Sequence, residues 1–182
     1  PQMVPKIVSA AIKSGIAAQD VQILAPMYRG QAGINNLNTI MQDLLNPQEK
    51  ANQFAFNDIF FRKNDKILHL VNDTELNVFN GDIGIITDLI PGKYTESKQD
   101  EIYMSFDGNE VIYPRNEWHK ITLAYAMSIH KSQGSEFPVV ILPITRQSGR
   151  MLQRNLIYTA ITRATKQVYM VNWKEEQTLN DT

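Results

Sequence analysis

The feature that most constrains the fold is an apolar run, within residues 124–137, that ends abruptly in polar groups. The segment reads AYAMSIHKSQGSEF, so a stretch with the character of a buried strand gives way at His130 to polar residues, a glycine and the acid Glu136. In α/β proteins, ligand-binding groups follow buried strands at the carboxyl edge of the sheet. The pattern therefore predicts an α/β fold with a binding segment at this turn.

Strands and helices alternate on both sides of the middle of the chain, which predicts a mainly parallel sheet. Apolar periodicity gives a helix at 4–12, a strand at 21–27, a helix at 34–45, a strand from about 123, a strand at 139–143, a helix at 151–164 and a strand at 168–173.

The middle of the chain has a different pattern. Short β-forming runs are separated by turn signals, of which Asp107-Gly108 between two alternating runs is a good hairpin signal. We expect a small, barrel-like all-β unit at 65–118, inserted in an α/β domain made of 1–64 and 119–182.

Composition excludes several classes of protein. The chain has 182 residues and no cysteine, which excludes disulfides, thiol nucleophiles and cysteine-based zinc sites. No apolar run approaches the length of a membrane span, and the N-terminus has no signal-peptide pattern, so we expect no membrane partner and a cytoplasmic location. The first residue is not Met, and we expect the chain to be part of a longer protein.

Charge is unevenly distributed on a chain whose net charge is −1. Residues 137–174 contain no acid but carry six basic residues, namely Arg146, Arg150, Arg154, Arg163, Lys166 and Lys174. Such a tract indicates either a localised anion-binding face or a solvated basic face without a ligand.

The polar turn supplies the groups that grip a nucleic-acid backbone without reading bases. A lysine, hydroxyls and the backbone amides of a helix N-terminus all attract phosphate. The candidate donors and acceptors lie around Gly134 and are Ser128, His130, Lys131, Ser132, Gln133, Ser135 and Glu136. The alternative is an ordinary helix start, with Ser132 or Ser135 as its cap.

Two arginines are candidates for phosphate chemistry. Arg163 follows apolar helical positions in 156–166, and an arginine held there could stabilise charge on a transferred phosphoryl group. Arg29 lies in an R-G-x-x-G loop between a strand and a helix, a weak signal by itself. For Arg163 the alternative is a surface or ion-paired side chain. No G-x-x-x-x-G-K-[ST] segment is present, so most of any ATP site would lie outside this chain.

Taken together and in order, these segments resemble the motifs of superfamily 1 helicases of the RecD branch, the exodeoxyribonuclease V alpha subunit family. Residues 22–30 and 36–38 resemble motif IV, and 80–84 opens a region similar to the SH3-like insert. The segments around Gly134 and Arg163 resemble motifs V and VI. The resemblance implies the second RecA-like motor domain of a P-loop NTPase-type helicase, with an inserted SH3-like β-barrel.

The resemblance also implies roles for individual residues. Arg163 and Arg29 would be catalytic and would face the γ-phosphate of ATP. Gly134 and Glu136 would approach the nucleotide, while Ser128, His130, Lys131 and Ser132 would contact DNA. The implied partners are single-stranded DNA, an N-terminal RecA-like domain that supplies the P-loop and the Mg²⁺ ligands, and other exodeoxyribonuclease V subunits.

Two other functions fit the same residues. One is a non-catalytic nucleic-acid-binding module of the same fold, and the other is the helicase half of a conjugative relaxase. In each case we expect that this chain alone does not hydrolyse ATP at the rate of a helicase.

Overall fold

The computed structural model describes residues 3–25, 33–48, 52–144 and 154–172. It divides into two compact units, one formed by Pro1–Met41 with Tyr125–Thr182 and the other by Gln42–Ala124.

Three α-helices and eleven strands are found within the described residues. In chain order they are α1 (Met3–Lys13), β1 (Val21–Ala25), α2 (Ile34–Leu45), β2 (Gln53–Phe56), β3 (Ile59–Arg62), β4 (Lys66–His69), β5 (Ile83–Ile90), β6 (Glu101–Phe106), β7 (Asn109–Pro114), β8 (Ile121–Leu123), β9 (Ala126–Ser128), β10 (Phe137–Ile144), α3 (Arg154–Thr162) and β11 (Ala164–Asn172).

The first unit contains the predicted parallel sheet, in the order β11–β10–β1–β9. All pairings are parallel, and β1 is in register with β10 at Val21↔Val139 and with β9 at Ala25↔Ser128. Every residue of β1 is buried, as expected for an inner strand covered on both faces. The prediction of an α/β fold with a parallel sheet is therefore confirmed.

The helix α2 begins and ends at the predicted residues. Three of its apolar residues at helical spacing, Ile34, Leu37 and Met41, are buried, and Leu37 and Met41 are almost inaccessible to solvent. The same face carries Asn38, a buried amide whose side-chain nitrogen donates to the carbonyl of Ala126 at 3.0 Å and whose oxygen accepts from the N–H of Ala126 at 2.8 Å. These two bonds hold α2 to the start of β9.

The second unit is built on an antiparallel sheet in the order β7–β6–β5–β4–β8. The predicted Asp107-Gly108 hairpin joins β6 to β7, and both turn residues have positive φ, at 52° and 84°. Such angles define the two-residue turn that matches the twist of paired strands, which is why an Asp-Gly pair predicts it.

The second unit extends beyond 65–118 at both ends because aromatic packing and strand pairing recruit the flanking segments. The β2–β3 hairpin belongs to it, and Phe54 stacks on the buried ring of Trp118 with centroids 5.6 Å apart. At the other end, β8 pairs with β4.

The apolar run before the polar turn is two strands, where the sequence predicts one starting near Leu123. Residues 121–123 form β8 in the antiparallel sheet, and 126–128 form β9 in the parallel sheet. Because both strands are almost wholly buried, hydrophobicity does not reveal the break between them. None of the helices in the described ranges is long and apolar enough to cross a membrane.

Candidate functional site

The polar segment 129–136 runs from the carboxyl edge of the parallel sheet, where its strands end, to the amino edge, where its strands begin. Strand β9 ends at Ser128, level with the carboxyl end of β1. The next strand, β10, begins at Phe137, which is paired with Ala164 at the start of β11. The segment therefore leaves the carboxyl edge after Ser128 and reaches the amino edge at Glu136.

At the carboxyl edge, two serine hydroxyls hold a short 3₁₀ turn, His130–Ser132. The Ser128 hydroxyl oxygen accepts a hydrogen bond from the N–H of Lys131 at 3.1 Å, and the Ser132 hydroxyl donates to the carbonyl of Ile129 at 2.6 Å. Both serines are buried, whereas His130 is exposed and Lys131 is half-buried. The serines thus shape the turn, and His130 and Lys131 are its polar groups accessible to a ligand.

The expectation of a helix N-terminus in this segment is wrong. After the 3₁₀ turn the backbone passes through Gly134, whose φ is +84°, and Phe137 then begins β10. A left-handed residue stops a right-handed helix, and neither Ser132 nor Ser135 caps one. Phosphate binding here would rest on the side chains of His130 and Lys131 and on turn amides.

The backbone angle favours glycine at position 134, because a φ of +84° lies in the left-handed region. Crowding is not the reason, since no atom lies within 4 Å of where a Cβ would be. Gly134 and Glu136 are both exposed. Glu136 is the only charged residue between Gly134 and the start of β10. Together they form an open stretch of chain immediately before β10.

Arg163 lies between α3 and β11 at the amino edge. Its N–H donates to the carbonyl of Ala160 at 3.1 Å, and its own carbonyl accepts from the N–H of Phe137 at 2.7 Å. The second bond places Arg163 beside the segment that ends at Glu136. Gly134 and Glu136, two of the predicted nucleotide-binding positions, therefore belong to the segment that ends beside Arg163.

The Arg163 side chain is half-buried and incompletely satisfied. Its Nη2 donates to the hydroxyl of Thr162 at 3.3 Å, but its Nε is buried and has no hydrogen-bond partner among the described residues. Within that part of the chain no acid forms an ion pair with it. The other predicted catalytic arginine, Arg29, lies outside the described residues, in the segment that follows β1.

Sequence reasoning missed a buried amide beside the start of β9. The side-chain nitrogen of Gln22 in β1 lies 3.2 Å from the carbonyl oxygens of both Ile23 and Tyr125, and the residue is inaccessible to solvent. A polar residue inside an apolar strand is the signal that points to it. In the described ranges no group of three or more acidic or histidine side chains could hold a metal ion.

Two family models match the chain. One, described as the UvrD-like helicase C-terminal domain, matches residues 123–171, which include the polar turn and Arg163. The other, described as the ATP-dependent RecD-like DNA helicase SH3 domain, matches residues 37–106.

Curated relatives carry corresponding names. The chain is 35% identical over 144 residues to the ATP-dependent RecD2 DNA helicase of Deinococcus radiodurans, a match covering 79% of this chain and 19% of that protein. It is 30% identical over 148 residues to the RecBCD enzyme subunit RecD of Haemophilus influenzae, covering 81% of this chain and 21% of that protein. The chain thus spans about a fifth of the length of these relatives.

The fold is also found among solved structures. A chain from a study of DNA unwinding by two Pif1 helicases matches 97% of this chain, with a TM-score of 0.57 and 17% identity over 44% of its own length. At that identity the likeness concerns the fold, and it agrees with the RecA-like sheet and the SH3-like unit. The chain belongs to the RecD-like helicases and corresponds to their C-terminal domain with its RecD-like SH3 domain.

Proposed function

We propose that the chain is the C-terminal motor domain of an ATP-dependent 5′→3′ DNA helicase, which couples ATP hydrolysis to translocation on single-stranded DNA. The observation that carries the proposal is Arg163, a half-buried arginine whose backbone is fixed on both sides and whose Nε has no partner among the described residues.

The environment of Arg163 fits an anionic group brought from outside the chain. A buried N–H without an acceptor costs about 1–3 kcal/mol, and a phosphate oxygen removes that cost. A planar guanidinium also keeps donors on several nitrogens, which suits a phosphate with several oxygens. In this role Arg163 would orient the γ-phosphate and stabilise the charge that develops during its transfer.

Three further residues of this chain would belong to the ATP site. Gly134 and Glu136 would approach the nucleotide, since their segment ends at the edge occupied by Arg163. Arg29 would act with Arg163 on the same phosphate. Bound ATP would supply the free energy for translocation, and the groups that hold Mg²⁺ and the β-phosphate would come from an N-terminal RecA-like domain.

The DNA-binding part of the proposal rests on the 3₁₀ turn. His130 and Lys131 would contact phosphates of the single strand, and Ser128 and Ser132 would keep the turn in shape through their hydrogen bonds. Because these contacts reach the backbone and not the base edges, binding would show little base preference. In a larger assembly, other exodeoxyribonuclease V subunits would be protein partners.

The test measures phosphate release in the presence of oligo-dT. The chain alone should show no DNA-stimulated turnover, whereas a longer protein that joins it to a P-loop domain should show it. Rapid, DNA-stimulated turnover by the chain alone would contradict the division of the site between two domains. Turnover by neither protein, with both folded and binding oligo-dT, would favour a non-catalytic DNA-binding module.

A further inference from the structure

One loop of the second unit exposes large apolar side chains among acidic residues. Residues 71–79 connect β4 towards β5 and contain Val71, Leu76 and Phe79, which are 39%, 40% and 42% exposed. We define the acidic loop face as these three residues with Glu75, Asp82 and Asp107.

The loop is held in one conformation by hydrogen bonds. The N–H groups of Asp73 and Val78 donate to each other's carbonyls at 2.7 and 3.1 Å, and the N–H of Phe79 donates to the Asp82 carboxylate at 2.9 Å. Bonds of this kind fix the apolar residues before any ligand arrives, and a fixed surface loses little conformational entropy on binding.

The β6–β7 turn is tied to the same loop. The side-chain nitrogen of Asn109 donates to the carbonyl of Leu76 at 2.9 Å and to that of Asn77 at 3.2 Å. The bonds hold the turn that contains the exposed residue Asp107 against the loop.

The charge of the face has one sign. Neither 67–92 nor 99–114 contains a lysine or an arginine. Lys120 pairs with Asp73 of this loop and also with Glu117. Within the described residues, Glu75, Asp82 and Asp107 form no ion pair.

These observations select the chemistry of a ligand. Acids near the apolar residues repel the phosphates of nucleic acid, and apolar residues on a fixed loop offer anchor points. We propose that the acidic loop face docks a basic protein segment that carries apolar side chains, and that it does not bind DNA. This inference does not depend on the motor function proposed above.

The probe is a fluorescein-labelled peptide of repeating Gly-Lys-Leu units, and binding is followed by anisotropy with the unmodified chain. A Gly-Glu-Leu peptide tests charge, a Gly-Lys-Ser peptide tests the apolar contribution, and oligo-dT tests nucleic acid. The Gly-Lys-Leu peptide should bind most tightly, and amide chemical-shift changes should concentrate at 71–79 and 107–109.

Variants then test the anchors. The double variant Leu76→Ser/Phe79→Ser should weaken Gly-Lys-Leu binding by about tenfold or more, equivalent to about 1.4 kcal/mol. The matched control is Tyr94→Ser, at an aromatic residue 71% exposed elsewhere in the same unit, which should leave binding unchanged.

The shift map uses the unmodified chain, so it decides the question even if the double variant does not fold. Shifts centred elsewhere, equal binding of the Gly-Glu-Leu peptide, or oligo-dT shifting the same amides would each overturn the proposal.

Discussion

The backbone N–H of Phe137 donates a 2.7 Å hydrogen bond to the carbonyl oxygen of Arg163, although the two residues are 26 positions apart in the sequence. The bond joins the end of the polar segment to the end of α3. A side chain mounted on a backbone fixed in this way can act at a constant position, which preorganised charge stabilisation requires.

Arg163→Ala in the longer, P-loop-containing protein should lower ATP turnover by roughly 10³–10⁵-fold, the range known for arginines that stabilise phosphoryl transfer. Arg163→Lys should restore little, since an ammonium cannot reproduce the planar fork. Phosphate release and a thermal melt are measured on the same samples. Lys166→Ala, at an exposed basic residue in β11, is the control and should turn over normally. Near-normal turnover in Arg163→Ala would remove the main support for the proposed role.

Lys131→Ala should weaken single-stranded DNA binding by a similar factor for all base sequences. If its ammonium neutralises one phosphate, the variant should show a slope of log K against log salt that is shallower by about 0.7. Anisotropy titrations of oligo-dT and mixed-sequence strands across a salt series provide the measurement. Lys63→Ala, an exposed lysine of the second unit, serves as the control. An effect confined to one base sequence would point to base readout and against backbone contact.

Gly134→Ala should destabilise the chain by about 1 kcal/mol, because φ is +84° and a Cβ would be strained there but would meet no neighbour. Gly134→Asn should cost less, since asparagine tolerates the left-handed region. Urea unfolding measures both costs. If the proposed nucleotide approach is right, both folded variants should also lose turnover in the longer protein, and full activity in them would argue against close approach at this residue.

The stability of the second unit should fall as pH drops below the ordinary pKa of histidine. His69 is inaccessible to solvent, with Nδ1 2.6 Å from the carbonyl of Val71 and Nε2 2.8 Å from the hydroxyl of Tyr113. Burial lowers the pKa of His69 from 6.5, opposed by the Val71 carbonyl and by the charges of Asp73 and Asp82, while Lys120 acts with burial.

The unfolded chain therefore binds more protons below about pH 6.5, and each such proton lowers stability by up to about 1.4 kcal/mol per pH unit. Urea unfolding between about pH 7.5 and about pH 5.5 should show this slope. His69→Gln should flatten it, and His119→Gln, at an exposed position, should not. An unchanged slope in His69→Gln would assign the pH dependence to other groups.

Asp65→Ala should destabilise the second unit by at least about 2 kcal/mol. The buried carboxylate accepts hydrogen bonds from Gln42 Nε2 at 2.7 Å, Asn46 Nδ2 at 2.8 Å and the N–H of Arg62 at 2.7 Å. The variant removes the acceptor of these three hydrogen bonds. Denaturant unfolding is the measurement. Glu96→Ala, at an exposed residue, should have no effect, and a similarly small effect of Asp65→Ala would mean that water replaces the carboxylate.

Local pattern predicts the elements whose cause is local. The bounds of α2 follow from its apolar spacing, and the β6–β7 turn follows from the Asp107-Gly108 pair. The β2–β3 hairpin was not predicted, because its place depends on ring packing between Phe54 and the distant Trp118. The predicted boundaries 1–64, 65–118 and 119–182 stay predictions about which segment can be removed.

The candidate site likewise has features with a local cause, which the sequence predicts, and features that depend on distant contacts, which it does not predict. Residue type and order identify Arg163 and Lys131 as candidates. Only the three-dimensional contacts show that Arg163 lies at the amino edge of the sheet and Lys131 at the carboxyl edge. The burial of Ser128 and Ser132 could not be predicted either, since a serine near a turn is equally typical of a ligand and of a turn support.

The paired hydrogen bonds between Asn38 and Ala126 have a consequence for strand pairing at the edge of the sheet. Among the described residues, β9 is the last strand of its sheet, and its N–H and C=O at Ala126 are both occupied by one amide side chain, much as a further strand would occupy them. An open sheet edge recruits strands from other molecules. Asn38 closes this edge at residue 126 with a side chain that cannot propagate the pairing, so a strand from another molecule finds no free backbone group at that residue.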